Sequence, residues 1–136
     1  MINLKILRFF LPLFSAVFLI NYSSEKLLSE NLNSDAVLNK ITFDISAISP
    51  DGLIGPIDGL RTVSYEFCIP ANPQFLATIQ TIDPTVDIYR NSPGRIRCQN
   101  YQYLCIGHTH NRQWKDILLA ISQLDYVEKI NEFYGE

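Results

Sequence analysis

With 136 residues and a net charge of −3, the chain is a poor candidate for nonspecific binding to nucleic acid or to an anionic membrane, since both need a basic surface. Hydrophobic residues make up 47% of the sequence, which excludes an intrinsically disordered protein. The length suits one domain with an additional N-terminal segment.

Residues 1–22 have the layout of an export signal. The lead over residues 1–8 is basic, and Phe9–Ile20 is an unbroken apolar run. A run of about 12 residues is shorter than the roughly 17–25 that cross a hydrocarbon core, so it suits a signal peptide. The cleavage site is poor, because Asn21 or Tyr22 falls at position −3, where a small residue is wanted. Residues 1–22 are therefore either a cleaved signal peptide or a retained membrane anchor.

Export sets the compartment and the charge of the mature chain. Without the leader, nine basic and fourteen acidic residues remain, so the net charge becomes about −5. We expect the chain to work in the periplasm, in the thylakoid lumen or tethered to a membrane outside the cytoplasm. Cysteines form disulfides in such oxidising compartments.

Residues 23–60 are predicted to be a linker that contains one short strand. Ser23–Asn39 is polar with scattered leucines. Ile41–Ile48 alternates loosely and is rich in β-forming residues, which predicts a strand. Ser49–Leu60 contains repeated Asp-Gly and Gly-Pro steps, which are typical of turns.

Residues 61–136 are predicted to form one domain with the order β-α-β-β-α-β. Alternating apolar residues and helix caps place strands at 61–69, 86–90, 101–107 and 126–134, with helices that start at the caps Asn72 and Asn111. This order is that of a split β-α-β sandwich of the ferredoxin-like type. The predicted fold class is therefore α+β, a ferredoxin-like sandwich preceded by an N-terminal signal or anchor helix and a short extra strand.

Three cysteines permit one disulfide and leave one thiol. The possible pairs are Cys98–Cys105, Cys68–Cys105 and Cys68–Cys98, and the sequence alone does not choose among them. We expect the first and third predicted strands to lie side by side and parallel, with Cys68 and Cys105 on the sheet face opposite the helices. The two pairs that include Cys105 are therefore favoured over Cys68–Cys98. The alternative is three buried, reduced thiols.

A metal site is one candidate for chemistry. Both histidines of the chain, His108 and His110, follow Cys105 closely, and thiolate with imidazole suits Zn or Cu. Strand alternation places Cys105 on the face opposite His108, unless Gly107 breaks the alternation. Ordinary polar residues at the end of a strand are the favoured interpretation.

An anion site is the other candidate. Arg95, Arg97 and Arg112 fall within a short span near the start of the second predicted helix, and Arg binds carboxylate or phosphate in a bidentate manner. A solvated loop is the simpler interpretation. The sequence shows no Cys-x-x-Cys pair, no phosphate-binding loop and no recognisable hydrolase arrangement, so no catalytic residue is predicted.

Three segments carry a resemblance to a known group of proteins. They are Tyr65–Ala71 (YEFCIPA), Ser92–Cys98 (SPGRIRC) and Tyr103–His110 (YLCIGHTH). Over residues 49–136 the chain resembles a small group of uncharacterised, exported cyanobacterial proteins. The resemblance implies no activity, but it implies that all three cysteines belong to the pattern, in a structural or metal-binding role. The pattern includes His110 and not His108, which weakens a site with two histidines.

These observations favour a non-enzymatic, exported and disulfide-stabilised binding or accessory module without a cofactor. Its expected partner is a protein or a small ligand and not nucleic acid, with a membrane contact through the N-terminal segment if that segment is uncleaved. The first alternative is a metal-binding or thiol-redox protein that uses Cys105 with His108 or His110. The second is a small anion-binding domain that uses Arg95, Arg97 and Arg112.

Overall fold

The computed structural model describes the backbone of residues 11–135 and the side chains of residues 24–31 and 33–135. The first element is helix α1 (Leu11–Leu38), so the polar segment that was expected to be a linker is helical up to Leu38. The basic lead of the predicted signal lies outside the described residues. No helix in the described range is both long and apolar enough to cross a membrane.

The chain divides into two units between Ala36 and Val37. Residues 37–60 therefore belong to the same unit as the predicted domain, instead of to a linker that precedes it. The second unit is mixed α+β, with two antiparallel sheets. Its elements are the strands β1 (Leu53–Ile54), β2 (Arg61–Thr62), β3 (Ser64–Pro70), β4 (Asp87–Tyr89), β5 (Gln102–His108) and β6 (Ile130–Phe133), with helices α2 (Pro73–Ile82) and α3 (Trp114–Ser122).

The main sheet has the order β4-β5-β3-β6, and every neighbouring pair of strands is antiparallel. The first and third predicted strands, β3 and β5, are therefore neighbours as expected, but the prediction that they are parallel is wrong. Strand β5 pairs antiparallel with β4, its predecessor in the chain, and then with β3 on its other edge. Strands β3 and β4 consequently run in the same direction without touching each other.

Alternate side chains of strand β3 point to the two opposite faces of this sheet. Tyr65, Phe67 and Ile69 are fully buried on the face that packs against the helices, as their alternation predicts. Phe67 is paired with Cys105 of β5, so Cys105 lies on this same face, within the main core. Cys105 was expected on the other face; the antiparallel register, which the sequence pattern does not specify, reverses that expectation.

One helix of the second unit begins at the cap that the sequence predicts, and the other begins after it. Asn72 accepts a hydrogen bond from the backbone N–H of Gln74 at 2.8 Å, and Pro73 follows as the first helical residue. Helix α3 starts two residues later than predicted, with Gln113 and not Asn111 at its N-cap position. Asn111 accepts from the N–H of Gln113 at 2.9 Å, but it closes a turn that precedes the helix.

The segment before the sheet does not form the predicted strand over residues 41–48. Ile41 makes one parallel bridge to Ile130, and a short 3-10 helix, capped by Asp44, occupies residues 45–47. The apolar residues of this segment join the core on the helix side, where Phe43 stacks on Tyr65 with ring centroids 6.5 Å apart. The segment was expected to cover the opposite face of the sheet, and it does not do so.

Buried polar contacts fix the turn before β1. The Thr109 hydroxyl donates to the Gly52 carbonyl at 2.7 Å and accepts from the Val63 N–H at 2.9 Å, while the Trp114 indole donates to the Ser49 carbonyl at 3.1 Å. A side chain at Gly52 would collide with the backbone carbonyl of Thr109. This turn is thereby fastened to the end of β5 and to the start of α3.

Candidate functional site

The sheet face that points away from the helices carries its own small apolar cluster. Its buried members are Cys98, Leu104 and Ile106, and partly buried Cys68, Ile96 and Phe133 pack against them. Two of these residues come from the loop between β4 and β5, which folds over the sheet here. We call this surface the open face, because neither helix α2 nor helix α3 contributes to the cluster.

A disulfide between Cys68 and Cys98 holds the loop against the open face. Its S–S distance is 2.01 Å, and it joins β3 to the loop across 30 residues of sequence. The predicted preference for a pair that includes Cys105 is therefore wrong, because Cys105 is on the other face. A bridge of this kind typically stabilises a fold by about 2–4 kcal/mol.

Cys105 is a free and buried thiol. Burial raises the pKa of this thiol to about 12, so it stays protonated and unreactive at neutral pH. His108, on the opposite face, does not share a site with it, and Gly107 continues the strand without breaking its alternation. Among residues 24–31 and 33–135, no group of three or more His, Cys, Asp or Glu side chains is arranged to hold a metal ion.

His108 instead lies between two polar side chains on neighbouring strands. Its Nδ1 is 2.9 Å from the Ser64 hydroxyl, and its Nε2 is 3.2 Å from Oδ2 of Asp87. His110 is close by, with its ring centroid 5.8 Å from that of His108. Sequence reasoning missed this Ser–His–Asp chain, since the three residues are far apart in sequence and no motif joins them.

A shallow, open cavity of about 470 Å³ lies on the same face. Its floor is apolar, formed by Leu104, Ile106 and Phe133, and the loop contributes Arg95 to its wall. The full lining comprises Tyr89, Ser92, Pro93, Gly94, Arg95, Leu104, Ile106, Phe133 and Tyr134. The arrangement of an apolar floor with one cationic side chain is suited to a ligand with an apolar body and a negative group.

Glu66 lies in the middle of the open face and is only 1% exposed. Burial raises the pKa of its carboxyl group, although the backbone N–H groups of Arg95 and Ile96 favour the charged form. Among the described residues, Glu66 Oε2 has no hydrogen-bond partner. Gly94 passes directly over it, and a side chain at Gly94 would meet both Oε2 and Leu104. Glu66 therefore packs under the loop and accepts hydrogen bonds from the loop backbone at Arg95 and Ile96.

The three arginines proposed for anion binding do not converge. Arg95 lines the apolar cavity, whereas Arg97 lines a separate, polar cavity of about 280 Å³ together with Lys129. Arg112 forms an exposed ion pair with Asp51, with Nε 3.5 Å from Oδ1. Of the three, Arg95 is the residue that lines a cavity with an apolar floor.

Comparison of the chain with protein-family models, with curated proteins and with solved structures finds no match. The resemblance to exported cyanobacterial proteins, carried by the segments around the three cysteines, therefore stays a prediction. The assignment of a function rests on the geometry of the open face.

Proposed function

We propose that this chain is an exported, disulfide-stabilised binding module that holds a small apolar carboxylate on the open face of its sheet. The cavity over Leu104, Ile106 and Phe133 carries the proposal. Its volume of about 470 Å³ lies within the range of small-molecule sites. The apolar floor would bury the body of the ligand, and the guanidinium of Arg95 would pair with its carboxylate.

The buried carboxyl of Glu66 is compatible with an anionic ligand. Because burial raises the pKa of Glu66, its neutral form is favoured more than that of an exposed glutamate. The raised pKa of Glu66 therefore weakens the repulsion between its carboxyl group and a carboxylate that is bound above it. The charge of Arg95 also acts on Glu66, so in this proposal Arg95 would face both Glu66 and the carboxylate of the ligand.

Two further parts of the proposal concern the architecture and the compartment. The strand order β4-β5-β3-β6, together with helices that follow β3 and β5, supports a ferredoxin-like sandwich. The Cys68–Cys98 disulfide supports a working place outside the cytoplasm, where residues 1–22 would act as a signal peptide or as an anchor.

Ligand binding is tested by calorimetric titration of the full chain with dodecanoate, a carboxylate with a flexible apolar tail. We expect saturable binding that Arg95→Gln weakens by about tenfold or more, because a hydrogen bond to a charged group contributes about 1.5–3 kcal/mol. Arg112→Gln is the matched control, since Arg112 pairs with Asp51 and does not line the cavity. Equal affinity in the two variants, or no saturable binding by the native chain, would overturn the proposed ligand class.

Export is tested by the intact mass of the protein purified from the envelope fraction of its native cells. One disulfide lowers the mass by two hydrogen atoms, and cleavage of a signal would remove the N-terminal residues. Recovery from the cytosol with three reduced thiols would contradict an exported module.

A further inference from the structure

Three polar side chains from three adjacent strands form a hydrogen-bonded chain at one end of the open face. Asp87 comes from β4, His108 from β5 and Ser64 from β3. The imidazole of His108 makes one contact through each nitrogen, at 3.2 Å to Asp87 and 2.9 Å to Ser64. Neither the binding proposal nor the disulfide requires this arrangement.

The two hydrogen bonds of the His108 ring determine which of its nitrogens can act as a base. Asp87, as a carboxylate, only accepts hydrogen bonds, so the neutral imidazole carries its proton on Nε2 and donates it to Asp87. The lone pair of Nδ1 then faces the hydroxyl of Ser64, which donates to it. This is the polarity that activates a serine nucleophile, with an orienting acid behind the base. The two ring nitrogens have exchanged places relative to serine proteases, but each keeps the required role.

The serine is next to the apolar cavity. Ser64 is paired with Phe133 across β3 and β6, so the two side chains share the open face. His108 lies two residues beyond Ile106 on β5 and points to that same face. Phe133 and Ile106 both line the cavity. Ser64, His108 and Asp87 lie beside this lining and not within it, at the end of the cavity that Ile106 and Phe133 form.

We propose that Ser64, His108 and Asp87 form an acyl-ester hydrolysis centre whose nucleophile is the Ser64 hydroxyl. In the first half of the reaction, Ser64 Oγ bonds to the carbonyl carbon and its proton passes to Nδ1 of His108. Asp87 stabilises the imidazolium, and the alcohol leaves with that proton. In the second half, water attacks the acyl-serine, gives one proton to Nδ1, and the acid departs as Ser64 regains its proton. One ester and one water become one acid and one alcohol, with no change of oxidation state.

The released acid is an apolar carboxylate, the class of ligand proposed for the cavity. The inference rests on the proposed function only for the choice of acyl group, and the reactivity of Ser64 is independent of that choice. A compact probe that does not fill the cavity therefore separates the two. A small alkyl fluorophosphonate, which forms a stable bond to an activated serine, meets this need.

Labelling of the full chain with this probe is measured by intact mass and peptide mapping. We expect one adduct per chain, on Ser64, with no adduct in Ser64→Ala. His108→Gln should slow the labelling by about 100-fold or more, which is the usual size of a general-base contribution. Asp87→Asn should slow it too, because an amide can donate a hydrogen bond and so favour the wrong tautomer. Ser29→Ala, on an exposed part of α1, is the matched control and should label as the native chain does.

Hydrolysis of p-nitrophenyl octanoate gives a second readout. We expect turnover by the native chain, its loss in Ser64→Ala and a large decrease in His108→Gln. Thermal unfolding of each variant shows whether it has folded. If the folded native chain gives no adduct on Ser64, the hydrolysis centre is overturned. It is also overturned if folded Ser64→Ala hydrolyses the ester as fast as the native chain does. Labelling of Ser64 without any binding of dodecanoate would uphold the centre and overturn the binding proposal.

Discussion

The two faces of the main sheet are built from the same strands and have opposite characters. The face toward the helices buries Tyr65, Phe67 and Cys105 in an apolar core. The open face carries a buried carboxyl, a disulfide, an apolar cavity and the hydrogen-bonded chain through His108. The difference follows from the covering layer. Two helices exclude water from one face, whereas a single loop covers the other and leaves room for polar chemistry.

The same comparison explains why one sulfur atom is inert and two are paired. Cys68 and Cys105 lie on adjacent strands, one register step apart, but they face opposite sides of the sheet. Cys68 meets the cysteine of the covering loop, whereas Cys105 meets only the packed core. The position of a residue relative to the two layers therefore decides its chemistry.

The largest expected effect comes from the covered face. Phe67→Ala should lower the free energy of unfolding by about 3–5 kcal/mol, because it leaves a cavity in a closely packed core. Phe133→Ala is the matched control on the open face, where the ring is only partly buried, and it should cost clearly less. Chemical denaturation of the two variants measures the difference. Equal losses would show that the open face is as important to stability as the core.

Removing the disulfide should have the next largest effect. We expect the double variant Cys68→Ala/Cys98→Ala to lose about 2–4 kcal/mol of unfolding free energy, since the closed loop no longer restricts the unfolded chain. A reducing agent should destabilise the native chain and leave the double variant unchanged. Cys105 should resist alkylation in the folded protein, because it is buried and its pKa is raised to about 12. A native chain that is insensitive to reductant would contradict the role of the bridge.

The smallest expected effect is a pH dependence that originates at Glu66. Its pKa is raised in the folded state by burial, so the folded protein binds a proton more readily than the unfolded chain does. This contribution to stability is complete below the pKa of the unfolded chain and is lost as the pH rises through the raised, folded value. Glu66→Gln should remove that loss of stability, and Glu128→Gln, on the exposed surface, should not. Urea denaturation at a series of pH values measures it, and unchanged curves in Glu66→Gln would contradict the assignment.

Local patterns in the sequence predicted much of the second unit. The alternation of Tyr65, Phe67 and Ile69 identified β3 and its buried face, and Asn72 with Pro73 identified the start of α2. These signals act over a few residues, since a cap or an alternation depends only on its near neighbours. The prediction over residues 41–48 failed because the apolar residues there pack on the core without a partner strand that continues the pairing.

The candidate site could be predicted only in fragments. Arg95 and His108 both stood out, but each was grouped with neighbours in the sequence instead of its neighbours in space. Ser64 and Asp87 carried no signal, because a single serine or acid within a strand resembles any other polar residue. The cavity itself has no counterpart in a linear pattern, since it lies between a loop and three strands.

The sequence by itself determined the order of the main-sheet strands and of the helices α2 and α3, and which residues of β3 face the core, because hydrophobic periodicity and helix caps are local properties of the chain. The tertiary structure alone decided that β3 and β5 run antiparallel, that Cys68 bonds to Cys98 and that Ser64, His108 and Asp87 meet. These outcomes depend on strand register and on how the loop folds over the sheet. Both are set by contacts between residues 20 or more positions apart, where a one-residue change of register would move every side chain to the other face.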